Sequence, residues 1–314
     1  MTTDPAVARV VDAGGDHVPP LLAAVEERLA AAASGHGAVL AEHAGATIAA
    51  GGKRLRPLLV VLVGGVESEA LVRAATAVEL VHAATLVHDD VLDAASLRRG
   101  RPTVVASGGR RMATATGDLL FSRAFAELAL NEDAEQIRTL SRASSALARG
   151  ELLQREDAFD ASVTIDRYLL RCELKTAALF EAACELGALV AGRERAPLAA
   201  FGRRIGLAFQ LLDDVLDITG PPERTGKHRG TDLLDGTITL PFILARERDP
   251  SLPSRPATPA EAESLCDRIA ATGALEESRR RAMALVDEAK RELPDLPQRR
   301  ALELVADGVV ERYS

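Results

Sequence analysis

The stretch AFQLLDDVLDIT at 208–219 carries the same acidic pentapeptide, in equally apolar surroundings, as ATLVHDDVLDAA at 84–95. Apolar residues recur at helical spacing on either side of both copies, and strand-like alternation is missing, so both read as helix. On a helix the first and fifth positions of the pentapeptide lie on one face a turn apart, with the second position about 100° round. Asp89 and Asp93 then stand side by side with Asp90 flanking, and Asp213 and Asp217 likewise with Asp214. Like charges at this spacing destabilise a helix by roughly 0.2–0.5 kcal/mol per pair, and partial burial among Val, Leu and Phe costs more. Such an array is unfavourable unless a cation joins it.

Working outward, LLAAVEERLAAAA (21–33), LVRAATAVELVHAATLVHDDVLDAA (71–95) and RTLSRASSALARGELLQRE (138–156) repeat the helical period. Ala, Leu, Glu and Arg, all good helix formers, dominate the text between breaks at Gly51–Gly52, Gly64–Gly65, Gly100–Pro102, Gly108–Gly109, Gly192–Pro197, Gly220–Pro222 and Pro250–Pro259. A last amphipathic helix, ALELVADGVVERYS, follows Pro294 and Pro297. No long linker and no solenoid period interrupts the pattern. The expected fold is all-α: one large helical-bundle domain over residues 1–314, ten or more helices around a central cavity.

Composition narrows the function. A net charge of −8, 3% aromatic residues and no Trp argue against a nucleic-acid binder. The longest apolar run, LLVVLVGGV at 58–66, is half of the roughly 18 residues that a membrane span needs. The first residues lack a basic segment followed by an apolar one, so no signal peptide is expected. Cys172, Cys184 and Cys266 show neither CxxC spacing nor an even count, which reads as buried thiols in a reducing cytoplasm.

A single acidic cluster is ordinarily a solvated face, but that reading leaves the apolar residues around both copies unexplained. Calcium loops need alternating ligands and a glycine turn, both missing here. Glu79-Leu80-Val81-His82 has the ExxH spacing of di-iron bundles, which need a second such pair, and none occurs. Hard oxygen donors without a Cys or His pattern suit Mg²⁺, which keeps several waters and is commonly completed by substrate phosphate. Two facing clusters would hold metal ions, with a diphosphate as the missing ligand.

Basic groups supply the other half. GGKRLRP at 51–57 opens a helix with glycines that let backbone approach an anion, followed by Lys53, Arg54 and Arg56; it lacks the order of a Walker A loop. Read alone, it is equally an exposed basic turn. Adjacent Arg98 and Arg99 in LRRGRP could serve two phosphate groups, or be a surface charge run. Lys175, beside Thr176 in RCELKTAALFEAAC, is costly in apolar text without an anion nearby. Lys227 lies in the Gly- and Pro-rich loop after the second cluster.

Together, GGKRLRP, ELVHAATLVHDDVLD, RRGRPT, GDLLFSRAF, GELLQ, KTAALF, AFQLLDDVLD, GKHRGTDL and TLP resemble, in order and spacing, the blocks of the trans-isoprenyl diphosphate synthases, or polyprenyl synthetases. The resemblance covers most of the chain. It implies that Asp89, Asp90, Asp93, Asp213, Asp214 and Asp217 bind Mg²⁺, three ions in the family's usual pattern. It implies that Arg98, Lys175 and Lys227 hold the allylic diphosphate, and that Lys53, Arg56, His82 and Arg99 hold isopentenyl diphosphate with Gly52 supplying backbone. Thr176 and Gln210 would line the reacting carbons, and Phe209 would pack beside the homoallylic substrate. His82 by itself reads more simply as a core histidine. Two departures stand out: Thr237 where the family usually has lysine, and His228 where proline is common.

The family's product length is set just before the first cluster, where bulky aromatics stop growth. Ala84 and Thr85 are small here, with Val81 and Ala77 deeper, so products longer than C20, C30 or beyond, are expected. Phe121 or Phe125 as a lower floor would instead give a short-chain C15/C20 synthase. A class I terpene cyclase would show Asn, Ser or Thr with Glu in its second metal motif, and a non-catalytic subunit would have lost aspartates. A homodimer that uses two small diphosphate substrates, with at most transient membrane contact for product release, is the expected organisation.

Overall fold

The computed structural model describes residues 5–98, 100–220 and 229–311, so Arg99, Lys227 and His228 lie outside the described residues. The described chain is helical almost throughout, within the expectation of ten or more helices. In order it runs α1 (Pro5–Gly14), α2 (Val18–Ala33), α3 (Ala38–Ala49), α4 (Leu55–Gly64), α5 (Glu69–Leu92), α6 (Val104–Ala129), α7 (Ala134–Glu156), α8 (Ile165–Cys172), a π-helical turn (Glu173–Ala177), α9 (Ala178–Val190), α10 (Arg195–Thr219), α11 (Thr231–Leu234), α12 (Leu240–Arg248), α13 (Pro259–Ala271), α14 (Ala274–Glu292) and α15 (Arg299–Glu311). The one departure is a two-residue antiparallel ladder, β1 (Leu97–Arg98) with β2 (Arg101–Pro102). Gly100, at φ 73, makes the reversal that a β-carbon would strain.

The chain divides into two compact units. The first comprises Met1–Ser144, Leu179–Gly202 and Leu293–Val305, the second Ser145–Ala178, Arg203–Glu292 and Ala306–Ser314. In the first, α5 is the central element. Ser68 starts it by accepting the Ala70 N–H, and it packs on α6 most extensively, then on α4 and α2. The expected break at Gly108–Gly109 is a kink inside α6, where Gly109 leaves helical geometry at φ 77. Past Arg56, α4 is apolar all round, and Leu58 to Val63 are buried to within 1%. Gly187 lets α9 approach α4: a β-carbon there would stand 2.6 Å from the Val60 carbonyl oxygen.

In the second unit, α12 packs on α14, α13 and α8, around Phe242, Leu265 and Ile269. Thr164 caps α8 by accepting the Arg167 N–H, and at the start of α13 Thr258 accepts the Glu261 N–H while the Glu261 side chain accepts the Ala257 N–H.

The membrane expectation needs one correction. Reading uninterrupted apolar runs overlooked α5, whose 24 residues are long and apolar enough to cross a membrane by length and composition. Most of α5 is buried inside the protein, so its hydrophobicity belongs to the core.

Candidate active site

The first acidic motif ends α5. Asp89 is half-buried and Asp93 is exposed, and the Asp93 N–H keeps its helical bond to the Asp89 carbonyl at 2.8 Å. Asp90 is 4% exposed and is held by Arg98, whose Nε and Nη2 lie 2.9 and 2.8 Å from Oδ1. The chain turns just after α5, with Ala94 at φ 49 and the Ala95 N–H donating to the Asp90 carbonyl at 3.0 Å, which brings Arg98 back beside the helix end. Thr103 fastens the base of that loop by donating to the Ala95 carbonyl at 2.6 Å.

Beside this motif, within the first unit, lies a cavity of about 260 Å³. Gly51, Arg54, Glu79, His82, Asp90, Arg98 and Arg101 line its polar part, and Leu86, Val87 and Val104 its apolar part. His82 and Arg98, both expected to bind substrate, meet here. Lys53 is exposed and is not among the lining residues. Glu79 has a structural partner: Arg54 donates to it at 2.8 Å while also holding Glu26 and the Ile48 carbonyl. That pairing, formed with Arg54 in left-handed conformation at φ 47, accounts for the ExxH spacing without a metal.

Arg56 is different. Its guanidinium lies 4.4 Å over the Phe180 ring, and its buried Nε has no hydrogen-bond partner. Burial pushes its pKa down to about 10, with the charge of Glu79 opposing. Leaving a guanidinium donor buried without a partner is costly, whatever group satisfies it.

The second motif lies within α10. Asp213 is exposed, and Asp217 is half-buried and accepts the Asp232 N–H at 3.3 Å. Asp214, 3% exposed, accepts from Tyr168 Oη at 2.6 Å and from Gln210 Nε2 at 2.7 Å. Burial and the charge of Asp232 push its pKa up to about 7, against the hydrogen bonds from Tyr168 and Gln210. Thr176 Oγ1 donates to Gln210 Oε1 at 2.6 Å, so Thr176, Gln210 and Asp214 form one chain. Phe209 is half-buried next to Gln210 in sequence.

Lys175 and Thr176 sit on the π-helical turn, a rare geometry that recurs at functional sites. The anion that Lys175 requires is internal: its Nζ lies 2.5 Å from Glu151 and 3.1 Å from Gln154. Burial opposes ionisation of Glu151, yet Lys175 and Arg155 together hold its carboxyl below the usual range. Gly150 makes this possible, since a β-carbon there would stand 2.6 Å from the Lys175 backbone nitrogen. GELLQ was legible as a motif, but the partnership of Glu151 and Gln154 with a lysine more than twenty residues away was not.

The two motifs share one local design. In each, the middle aspartate is buried and fixed by side-chain donors, while the first and last stand nearer solvent a turn apart. Among the described residues, no three His, Cys, Asp or Glu side chains gather into a cluster that could hold a metal ion by themselves. The donor chemistry still fits Mg²⁺, which takes hard oxygens and fills its remaining positions with water and phosphate.

Of the length-determining positions, Val81 and Ala84 are fully buried in α5, and Thr85 donates to the His82 carbonyl at 2.8 Å. Phe121 stacks on His88 with ring centroids 5.7 Å apart, level with the motif.

Comparison with known proteins agrees with these blocks. The sequence profile of the family described as polyprenyl synthetase matches residues 38–264. Heptaprenyl diphosphate synthase component 2 of Geobacillus stearothermophilus is 39% identical over 298 residues, covering 91% of this chain and 93% of its own. Geranylgeranyl diphosphate synthase of Methanosarcina mazei is 37% identical over 281 residues, covering 84% and 86%. The crystal structure of polyprenyl synthase from Caulobacter crescentus CB15, complexed with calcium and isoprenyl diphosphate, superposes with a TM-score of 0.89 at 35% identity, covering 98% of each chain. On motif order, fold and relatedness alike, the chain belongs to the polyprenyl synthetase family, the trans-isoprenyl diphosphate synthases.

Proposed function

We propose that this chain, acting as a single domain over residues 1–314, is a Mg²⁺-dependent prenyltransferase. It condenses isopentenyl diphosphate with an allylic diphosphate, head to tail and trans, to give a polyprenyl diphosphate of medium or long chain. The observation that carries the reading is the repeated design of the two DDVLD motifs, each with a fixed middle carboxylate and an outer pair nearer solvent.

In this reading Asp89, Asp90, Asp93, Asp213, Asp214 and Asp217 hold three Mg²⁺ ions. When bound, these neutralise charge developing on a departing diphosphate. Arg98, Lys175 and Lys227 orient the allylic diphosphate so that its C1–O bond breaks with the electron pair leaving on oxygen. Arg56, Lys53, His82 and Arg99 hold isopentenyl diphosphate so that its double bond attacks C1. A proton is then lost from C2 of the isopentenyl unit, forming the new double bond, and the released diphosphate is a competent base. Water must be kept from the allylic cation, and the 220–236 segment is the candidate cap. The pairing of Lys175 with Glu151, and of Arg98 with Asp90, keeps both cations in place before substrate arrives.

Small residues at Ala84 and Thr85 favour C30 or longer, and the similarity to a heptaprenyl synthase supports that. The geranylgeranyl synthase relative and Phe125 favour a C20 product as the second reading. Three free, buried cysteines support a reducing cytoplasm, and a homodimer is the proposed assembly. Purified protein incubated with isopentenyl diphosphate, an allylic starter and Mg²⁺ should yield a ladder of prenyl products that EDTA abolishes. Absence of any elongated product would sink the reading.

A further inference from the structure

Tyr168 is fully buried on α8, with the Arg171 guanidinium 5.3 Å from its ring centroid. Facing a carboxylate, the phenol hydroxyl serves as the donor. It donates to Asp214 Oδ2 at 2.6 Å, while the other oxygen of Asp214 accepts from Gln210.

Kept ionised by the cations of the proposed site, Asp214 can only accept, which fixes the orientation of the Gln210 amide: its NH₂ faces Asp214 and its carbonyl faces away. That carbonyl takes the Thr176 hydroxyl proton at 2.6 Å. Every hydrogen bond in the chain therefore has one direction. Thr176 is left presenting oxygen lone pairs, and no proton, on its remaining side. Such an oxygen favours positive charge and disfavours negative charge nearby.

We propose that Tyr168 is a positioning residue for prenyl transfer, whose hydroxyl fixes Asp214 for metal–diphosphate binding and, through Gln210, turns the Thr176 oxygen toward the carbon that becomes cationic. The inference rests on the proposed reading of the second motif as a Mg²⁺–diphosphate site. Arg171, on the next turn of α8, donates to the Ile238 carbonyl and so ties the same helix to the segment before α12.

The test is Tyr168→Phe, which removes the hydroxyl and keeps the ring. Calorimetric binding of inorganic pyrophosphate in the presence of Mg²⁺ should weaken about ten- to a hundredfold, the usual effect of losing a group that orients a metal ligand. Turnover should fall as well, while KM for isopentenyl diphosphate stays unchanged. Thr164→Ala removes the cap of α8 without touching Asp214; it should lower the melting temperature and leave pyrophosphate binding as in the parent. If the parent protein binds no pyrophosphate with Mg²⁺, the proposed function falls and takes this inference with it. If the parent binds and Tyr168→Phe binds and turns over equally well, the inference alone falls. It falls too if Thr164→Ala weakens pyrophosphate binding as much as Tyr168→Phe does.

Discussion

At the scale of single residues, the aspartates within each motif have unequal environments. Asp89 and Asp213 face solvent more than their buried neighbours Asp90 and Asp214. Asp89→Ala and Asp213→Ala should therefore leave the fold intact, by circular dichroism, while reducing turnover by several orders of magnitude. Near-normal rates in Mg²⁺ for either variant would break the paired-motif reading. Asp214 adds a pH signature. Its folded pKa of about 7 stands above the ordinary 3.8 of an unfolded aspartate. Between those values the folded chain binds the extra proton, so stability falls as pH rises through the window, and the loss is complete above it. The melting temperature of metal-free protein should accordingly rise when pH is lowered from about 8 to about 6, and Asp214→Asn should flatten that rise. An identical slope in parent and variant would show that Asp214 does not titrate there.

At the scale of elements, α7 and the π-helical turn meet where only glycine fits. Gly150→Ala should force the turn bearing Lys175 and Thr176 away from Glu151, an overpacking cost of about 1–3 kcal/mol. We expect a lower melting temperature together with a turnover loss that raising isopentenyl diphosphate does not restore. Full activity in this variant would mean that the close approach is incidental. On α5, the length argument runs through Ala84, one turn and a residue before Asp89. Ala84→Phe should shift products toward C15–C20 without abolishing the first condensation, as read by sizing the product ladder. An unchanged ladder would mean that the growing chain does not pass Ala84.

At the scale of the whole molecule, one similar protein is named as a component of its enzyme, so self-sufficiency is a property to measure. Because all six aspartates of the two motifs belong to this one chain, the purified protein should be active with Mg²⁺ and no second polypeptide. It should elute at twice its 33.2 kDa mass in light scattering. Activity that appears only after a second gene product is added would refute self-sufficiency.

What the sequence by itself determined is what repeats at short range. Helical period, glycine and proline breaks and capping residues set the helices, because each depends on neighbours within a turn or two. The same local logic exposed the two DDVLD motifs, since like charges a turn apart in apolar text are costly wherever the helix ends up. What only the tertiary structure decided is which distant groups meet those residues. Nothing near Lys175 in sequence announces Glu151, nothing near Asp214 announces Tyr168, and Arg98 reaches Asp90 only because the chain turns back at Ala94 just past α5. The two-residue ladder at 97–102 is too short to leave a period. The fate of Glu79 was hidden for the same reason: its spacing suited a metal, but Arg54 folds back from the preceding helix start to neutralise it. Burial decided these cases, because a charge removed from water takes whichever partner the packing brings within reach.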